Sequence, residues 1–472
     1  MTRRHGTFQR IALLAALAAA AMLCASAATA GARGLQIGIT DPAEPGFGEV
    51  DVEGAYTVAR QNGLTIARVP VFWGDVVGPE APRQPRNPDA GAYNFKPIDE
   101  RVRGLVAHGI EPLLSVTSAP LWARTHRPDG RRRETPNPSD FAAFMEAIAR
   151  RYDGTVRERV RLFQLWNEPN LKTYLDQEGA PDDYRAMLAA AYPVVKAVHP
   201  DNLVVAGGTA PFAGPEGRYG VGPLKFTREL LAQGPVEFDV WAHHPYTSGP
   251  PARHATERDD ASIGDVPKIR ALLRKAKREG RVRSTRMWAT ELSWDSAPPD
   301  PFAVPLAEHA RWVAEGLYRM WKHGVEVVVW FQLRDNPKGT FTWGQTWQSG
   351  LFFKTTDSYA QERAKPALTA MRFPFVALPA GRRVTIWGRT PEAKGGRVAV
   401  EVRRRGRWRR VASVRPDGDG IFRRTLRGLR GARLRARLGG DKSLPFVARK
   451  TRDRFVNPFG GEELPPQPGQ GR

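Results

Sequence analysis

The sequence predicts a (β/α)8, or TIM, barrel followed by a small all-β, immunoglobulin-like sandwich. Three observations carry this fold class. Between residues 35 and 371, eight short apolar runs alternate with eight stretches of helical periodicity, and such alternation builds a parallel sheet flanked by helices. No glycine-rich phosphate fingerprint follows the first run, which removes the usual reason to choose an open dinucleotide-binding sheet. After Pro379 the apolar period drops to two, as in half-buried antiparallel strands.

The elements follow in order. A strand at 35–39 leads to a helix at 50–61 closed by Gly63, and a strand at 64–71 to a helix at 98–107 with Gly109 just beyond it. Glycine at these two ends suits the left-handed residue that terminates many helices. A strand at 111–116 precedes a helix at 141–152 that Ser139-Asp140 would cap. The remaining pairs are 161–165 with 181–198, 203–206 with 224–232, 238–242 with 266–278, and 286–289 with 306–322. A last strand at 325–331 reaches its helix, 365–371, through a long loop. The barrel is thus expected over 31–376 and the sandwich over 377–456, with strands at 383–387, 397–402, 408–412 and 434–438. The Gly-, Pro- and Gln-rich tail from Asn457 to residue 472 is expected to be disordered.

The N-terminus carries a processing signal. Arg3, Arg4 and Arg10 precede an apolar run at 11–23, and Ala28-Thr29-Ala30 supplies small residues before Gly31. This is the pattern of a secretory signal peptide over 1–30, so export and an extracellular location are expected. A lipid anchor on Cys24 is the competing reading, but Leu23 stands where lipoprotein signals have Gly or Ala. Cys24 is the single cysteine. The processed chain is therefore expected to have no disulfide, no thiolate nucleophile and no cysteine-based metal site. No later apolar run is long enough to span a bilayer.

Composition excludes a disordered chain, since 41% of residues are hydrophobic and there are 13 Trp and 21 Phe. The formal charge of +23 is uneven: residues 377–472 hold 25 Lys and Arg against 8 Asp and Glu. Two readings stand: a solvated sheet decorated with arginine, or adhesion to an anionic cell-surface polymer, acidic polysaccharide or lipid headgroup. Export argues against nucleic acid as a partner.

In a barrel of this kind the active site forms where strands end and βα loops begin. Arg68 lies near the end of the second strand and Trp166-Asn167-Glu168-Pro169-Asn170 follows the fourth. His243-His244-Pro245-Tyr246 follows the sixth, Thr290-Glu291 the seventh, and Trp330 ends the eighth. Singly, such a Glu is a solvated loop residue or cap, Trp330 a packing residue and His243 a hydrogen-bonded wall residue. Their convergence on one mouth is the signal. Strands four and seven face each other across the axis, and two facing carboxyl groups are the minimum machinery for glycoside hydrolysis. No H-E-x-x-H pattern occurs, so neither a metal nor an organic cofactor is expected.

The pairing of Trp166-Asn167-Glu168-Pro169-Asn170 with a strand-seven Glu291 resembles clan A of the glycoside hydrolases, and within it families 39 and 5. The resemblance covers 35 to about 375. It implies a retaining glycosidase acting on a carbohydrate substrate, with Glu168 as acid/base, Glu291 as nucleophile and carboxyl groups about 5–5.5 Å apart. It further implies that Asn167 binds the sugar 2-hydroxyl, that Arg68 keeps the nucleophile ionised, and that Tyr246 of a His244-x-Tyr246 pattern touches it. Trp330 would be the platform under the sugar. The chain departs from members with a His ending strand three, having Ser115-Val116-Thr117-Ser118 there. A transglycosylase would use the same residues. A non-catalytic carbohydrate- or cell-wall-binding protein on a decayed barrel would be expected to have lost one of the two Glu.

Overall fold

The computed structural model describes residues 34–43, 49–126, 132–339, 341–393 and 395–458. The signal-peptide assignment, 1–30, and most of the expected tail, 459–472, lie outside them.

The barrel strands are β1 (Gln36–Thr40), β2 (Ile66–Phe72), β3 (Glu111–Thr117), β4 (Leu162–Leu165), β5 (Leu203–Thr209), β6 (Val240–His243), β7 (Met287–Leu292) and β8 (Val325–Trp330). They pair in parallel in chain order, and β8 closes onto β1. The intervening helices are α1 (Val52–Gln61), α2 (Lys96–Ala107), α3 (Pro138–Arg151), α4 (Ala180–Val198), α5 (Pro223–Ala232), α6 (Val266–Arg278), α7 (Leu306–Lys322) and α8 (Pro366–Arg372). One expectation is corrected. Asn137, not Ser139-Asp140, caps α3, its side-chain oxygen accepting from the backbone N–H groups of both residues. Pro138 at the first helical position accounts for the earlier start, since its missing N–H costs nothing there.

Side chains of Ile66, Leu113, Leu162, Val205, Val240, Trp288, Val327 and Val329 fill the lumen. Their neighbours along each strand pack outward against the helices. Alternation along a strand then decides which strand-end residues enter the mouth. Counting from Ile66, Leu113 and Val240 puts Arg68, Ser115 and His244 on the lumen side.

From Phe375 the chain forms two antiparallel sheets. Strands β9 (Phe375–Ala380), β10 (Arg383–Arg389) and β13 (Ile421–Arg427) make one, in the order β9–β10–β13. The other is built on β12 (Arg407–Val414), β11 (Val398–Arg404) and β14 (Arg433–Leu438). These sheets dock on α7. Trp387 is buried against Tyr318 and Trp321, with ring centroids 5.5 Å from each. The Arg311 guanidinium sits 3.7 Å from the Phe446 ring and donates to the carbonyls of Val447 and Arg449.

Candidate active site

Glu291 is the most constrained side chain of the mouth. The Arg68 Nη1 donates to its Oε2 at 2.8 Å, and the Tyr246 hydroxyl donates to its Oε1 at 2.7 Å. Arg68 also donates through Nη2 to Asn167 Oδ1 at 2.6 Å and to Ser115 Oγ at 3.1 Å. One buried guanidinium therefore ties together the ends of β2, β3, β4 and β7. The Tyr246 hydroxyl, buried beside the Glu291 carboxylate, is pushed well above its ordinary value and stays a donor.

Strict alternation would not bring Glu291 here, because Trp288 already claims the lumen side of β7. A register irregularity resolves this: Val328 pairs with Ala289, but Trp330 pairs with Leu292. The extra residue of β7 is a bulge, a device that re-aims side chains beside active sites. It lets Thr290 and Glu291 both reach residues of the mouth.

Glu168 has a different setting. Its Oε1 lies 2.9 Å from Nδ1 of His244, whose Nε2 lies 3.2 Å from Thr290 Oγ1. Burial raises the Glu168 carboxyl to about 7, against a smaller lowering by Arg68. Burial also drives the His244 ring down to about 3, so it is neutral at physiological pH. In the tautomer protonated on Nε2, the ring donates to the Thr290 hydroxyl and Nδ1 accepts from a protonated Glu168. One oxygen of Glu168, one of Glu291 and a ring nitrogen of His244 lie within 4.8 Å of one another. Trp166 and Glu168 both take positive φ, 76° and 42°, a conformation that costs non-glycine residues and concentrates at functional sites.

Arg68, Asn167, Glu168, His244, Tyr246 and Glu291 thus come together. Trp330 does not. It is 1% exposed, its indole donates to the Ser349 carbonyl, and its ring packs against Trp294 and His309 in the layer between barrel and helices. The reason is parity, since Val327 and Val329 hold the lumen side of β8 and Trp330 faces away. Phe331, half-buried and in edge contact with Trp347 at 5.4 Å, takes the lumen parity instead. Counting from Val329 would have found it. His243 is a wall residue, bonded to Thr209 and to the Ala261 carbonyl. Tyr174, whose hydroxyl interacts with Asn167, carried no signal in the sequence.

Residues 44–277, reaching from the β1–α1 loop to the end of α6, match the family model Cellulase (glycosyl hydrolase family 5). No curated protein matches the chain. Among solved structures, the chain is similar to a family 39 glycoside hydrolase from Bacteroides cellulosilyticus WH2, at 19% identity and a TM-score of 0.51, covering 84% of this chain and 79% of that one. It is likewise similar to a glucosidase from Croceicoccus marinus, at 18% identity and a TM-score of 0.51, covering 84% and 81%. At these identities the structures speak for the fold, and the family match for the chemistry. With the family 5 domain reaching α6, and β7 and β8 completing the same barrel, the chain is a glycosidase of glycoside hydrolase clan A.

Proposed function

We propose that the chain is an exported retaining glycosidase that cleaves O-glycosidic bonds of oligo- or polysaccharides by double displacement. The observation that carries this is the unequal treatment of two close carboxyl groups. Glu291, paired with Arg68 and Tyr246, is the nucleophile, and Glu168, held protonated by burial, is the acid. Oxygens within 4.8 Å suit retention, since inversion needs roughly 6.5–9.5 Å to seat a water between the groups.

In the first step the Glu291 carboxylate attacks the anomeric carbon while Glu168 gives its proton to the departing oxygen. Asn167, held by Arg68, faces the sugar 2-hydroxyl. In the resulting ester Glu291 is neutral. Arg68 then acts on Glu168 without a competing anion nearby, which favours the carboxylate form of Glu168. Glu168 can now take a proton from water as that water attacks the anomeric carbon and frees Glu291. NMR of the first-formed sugar from a panel of aryl glycosides and polysaccharides tests this. The initial product should keep the substrate's anomeric configuration, and an inverted first product overturns the assignment.

The charged N-terminus, apolar run and Ala28-Thr29-Ala30 support export. The C-terminal sheets hold the enzyme at an anionic cell-surface polymer. Exposed Arg403, Arg404, Arg407, Arg409, Arg423 and Arg424 support this, because the buried acid of these strands, Glu401, is already taken by Arg435 and Arg437. Co-sedimentation with an acidic polysaccharide should weaken as salt rises from about 0.05 to 0.5 M, as screening shortens the reach of exposed charges.

A further inference from the structure

The opposite end of the barrel, at the N-terminal ends of the strands, holds a cavity of about 420 Å³. It lies between the first residues of the barrel strands and three residues of the C-terminal sheets, Arg389, Ala393 and Asp419. The volume is within the roughly 300–1,000 Å³ typical of small-molecule sites. The catalytic residues sit at the other end of the strands.

The charged groups facing this cavity are not equivalent. Arg161 is paired with Glu111 at 2.6 Å, and Arg286 with Glu326 at 2.8 Å, so these four neutralise one another. Arg389 is different. It is 7% exposed, and its guanidinium makes no hydrogen bond among the described residues. Asp419 acts on it through space only. Trp288 also lines this cavity, but its indole N–H is sealed from it. Buried donors without acceptors are rare in folded proteins and costly to leave so. Here Arg389, a full positive charge without a hydrogen-bond partner, borders the cavity. Its requirement is an acceptor, and the guanidinium fork suits a planar or tetrahedral oxyanion.

We propose that the barrel floor is a binding site for a small oxyanion, a carboxylate or phosphate on a molecule of about monosaccharide size, held by Arg389. Arg389 belongs to β10 and Trp288 to β7. The ligand therefore bridges the C-terminal sheets and the barrel, and its binding stabilises their docking by mass action.

Calorimetric titration and thermal unfolding of the full chain test this, with inorganic phosphate, D-glucuronate and D-glucose as probes. At least one anion should bind and raise the melting temperature, while glucose should do neither. A preference for glucuronate assigns a sugar carboxylate, and a preference for phosphate assigns a phosphate source. Arg389→Met should weaken anion binding by about tenfold or more, the loss of a charge-assisted hydrogen bond. Asp419→Asn should tighten it several-fold, because a competing carboxylate is removed, and a gain of affinity cannot come from misfolding. Absence of binding by both anions, unchanged affinity in Arg389→Met, or weaker binding in Asp419→Asn overturns the proposal.

Discussion

Arginine does opposite things in two regions of this molecule. At the barrel mouth Arg68 is buried and both terminal nitrogens of its guanidinium are spent on neighbours, namely Glu291, Asn167 and Ser115. On the C-terminal sheets arginines are exposed and face one another. Arg383 stands opposite Arg427 across β10 and β13, and Arg404 opposite Arg407 across β11 and β12. The same side chain is a precise electrostatic device where water is excluded, and a diffuse, screened charge where it is not. The mouth therefore concentrates charge pairing in single residues, whereas the sheets spread charge over many.

That contrast can be broken first at Glu291, the proposed nucleophile. Glu291→Ala should lower kcat by a factor on the order of 10⁴–10⁶, as loss of a covalent catalyst does. Added azide should restore turnover with an inverted product, because the small anion attacks from the vacated face. Failure of rescue, with activity retained, would move the nucleophile elsewhere. Next comes Glu168→Gln, expected to cost about 10²–10⁴ on substrates with poor leaving groups and little on activated aryl glycosides. Equal losses on both substrate classes would end its role as acid.

The same variant sharpens the electrostatic side. Burial lifts Glu168 from the usual 4.5 to about 7, so its raised pKa contributes stability below pH about 4.5 that is lost as pH rises to about 7. The neutral Gln escapes that loss. Glu168→Gln should therefore become more stable than wild type across this window, by up to about 3 kcal/mol on a conversion of about 1.4 kcal/mol per unit. Chemical denaturation at pH 4 and pH 8 measures the difference, and a constant difference would contradict the burial.

In the C-terminal region only packing residues should show effects of comparable size. Trp387→Ala, which empties a site against Tyr318 and Trp321, should cost about 3–5 kcal/mol of stability while sparing the chemical step on small aryl glycosides. A folded variant with lost turnover would show that the sheets shape the mouth. Arg68→Met should reduce kcat/KM by about 10²-fold, the loss of a charge-assisted hydrogen bond to Glu291. It should also move the alkaline limb of the pH profile above 7, because Arg68 lowers the pKa of Glu168. The smallest expected effect lies on the outer sheet. Arg383→Thr removes a like charge opposite Arg427 and should raise stability by a few tenths of a kcal/mol, about 0.2–0.5. A clear loss instead would mean that Arg383 is individually engaged.

Much of this was legible along the chain. The eight apolar runs are the eight barrel strands, and the change to period two is seen in the antiparallel sheets that start at Phe375. Both signals are local, since burial on one or both faces imposes its period directly on the sequence. The Asn167-Glu168 pair and Glu291 could be named because barrel mouths form at strand ends. What escaped depended on contacts between distant residues. Trp330 was misplaced by one position because alternation along β8 must be counted from a residue known to face the lumen. Glu291 enters the mouth beside Thr290 through a bulge set by pairing with β8, and no pattern within β7 announces it. The two carboxyl groups are set apart by Arg68, Tyr246 and His244, brought from β2 and the end of β6. Burial decides a carboxyl's proton affinity, and burial is a property of the assembled barrel. The guanidinium of Arg389, stranded at the barrel floor, is invisible in its strand for the same reason: its surroundings exist only once the C-terminal sheets have closed against the barrel.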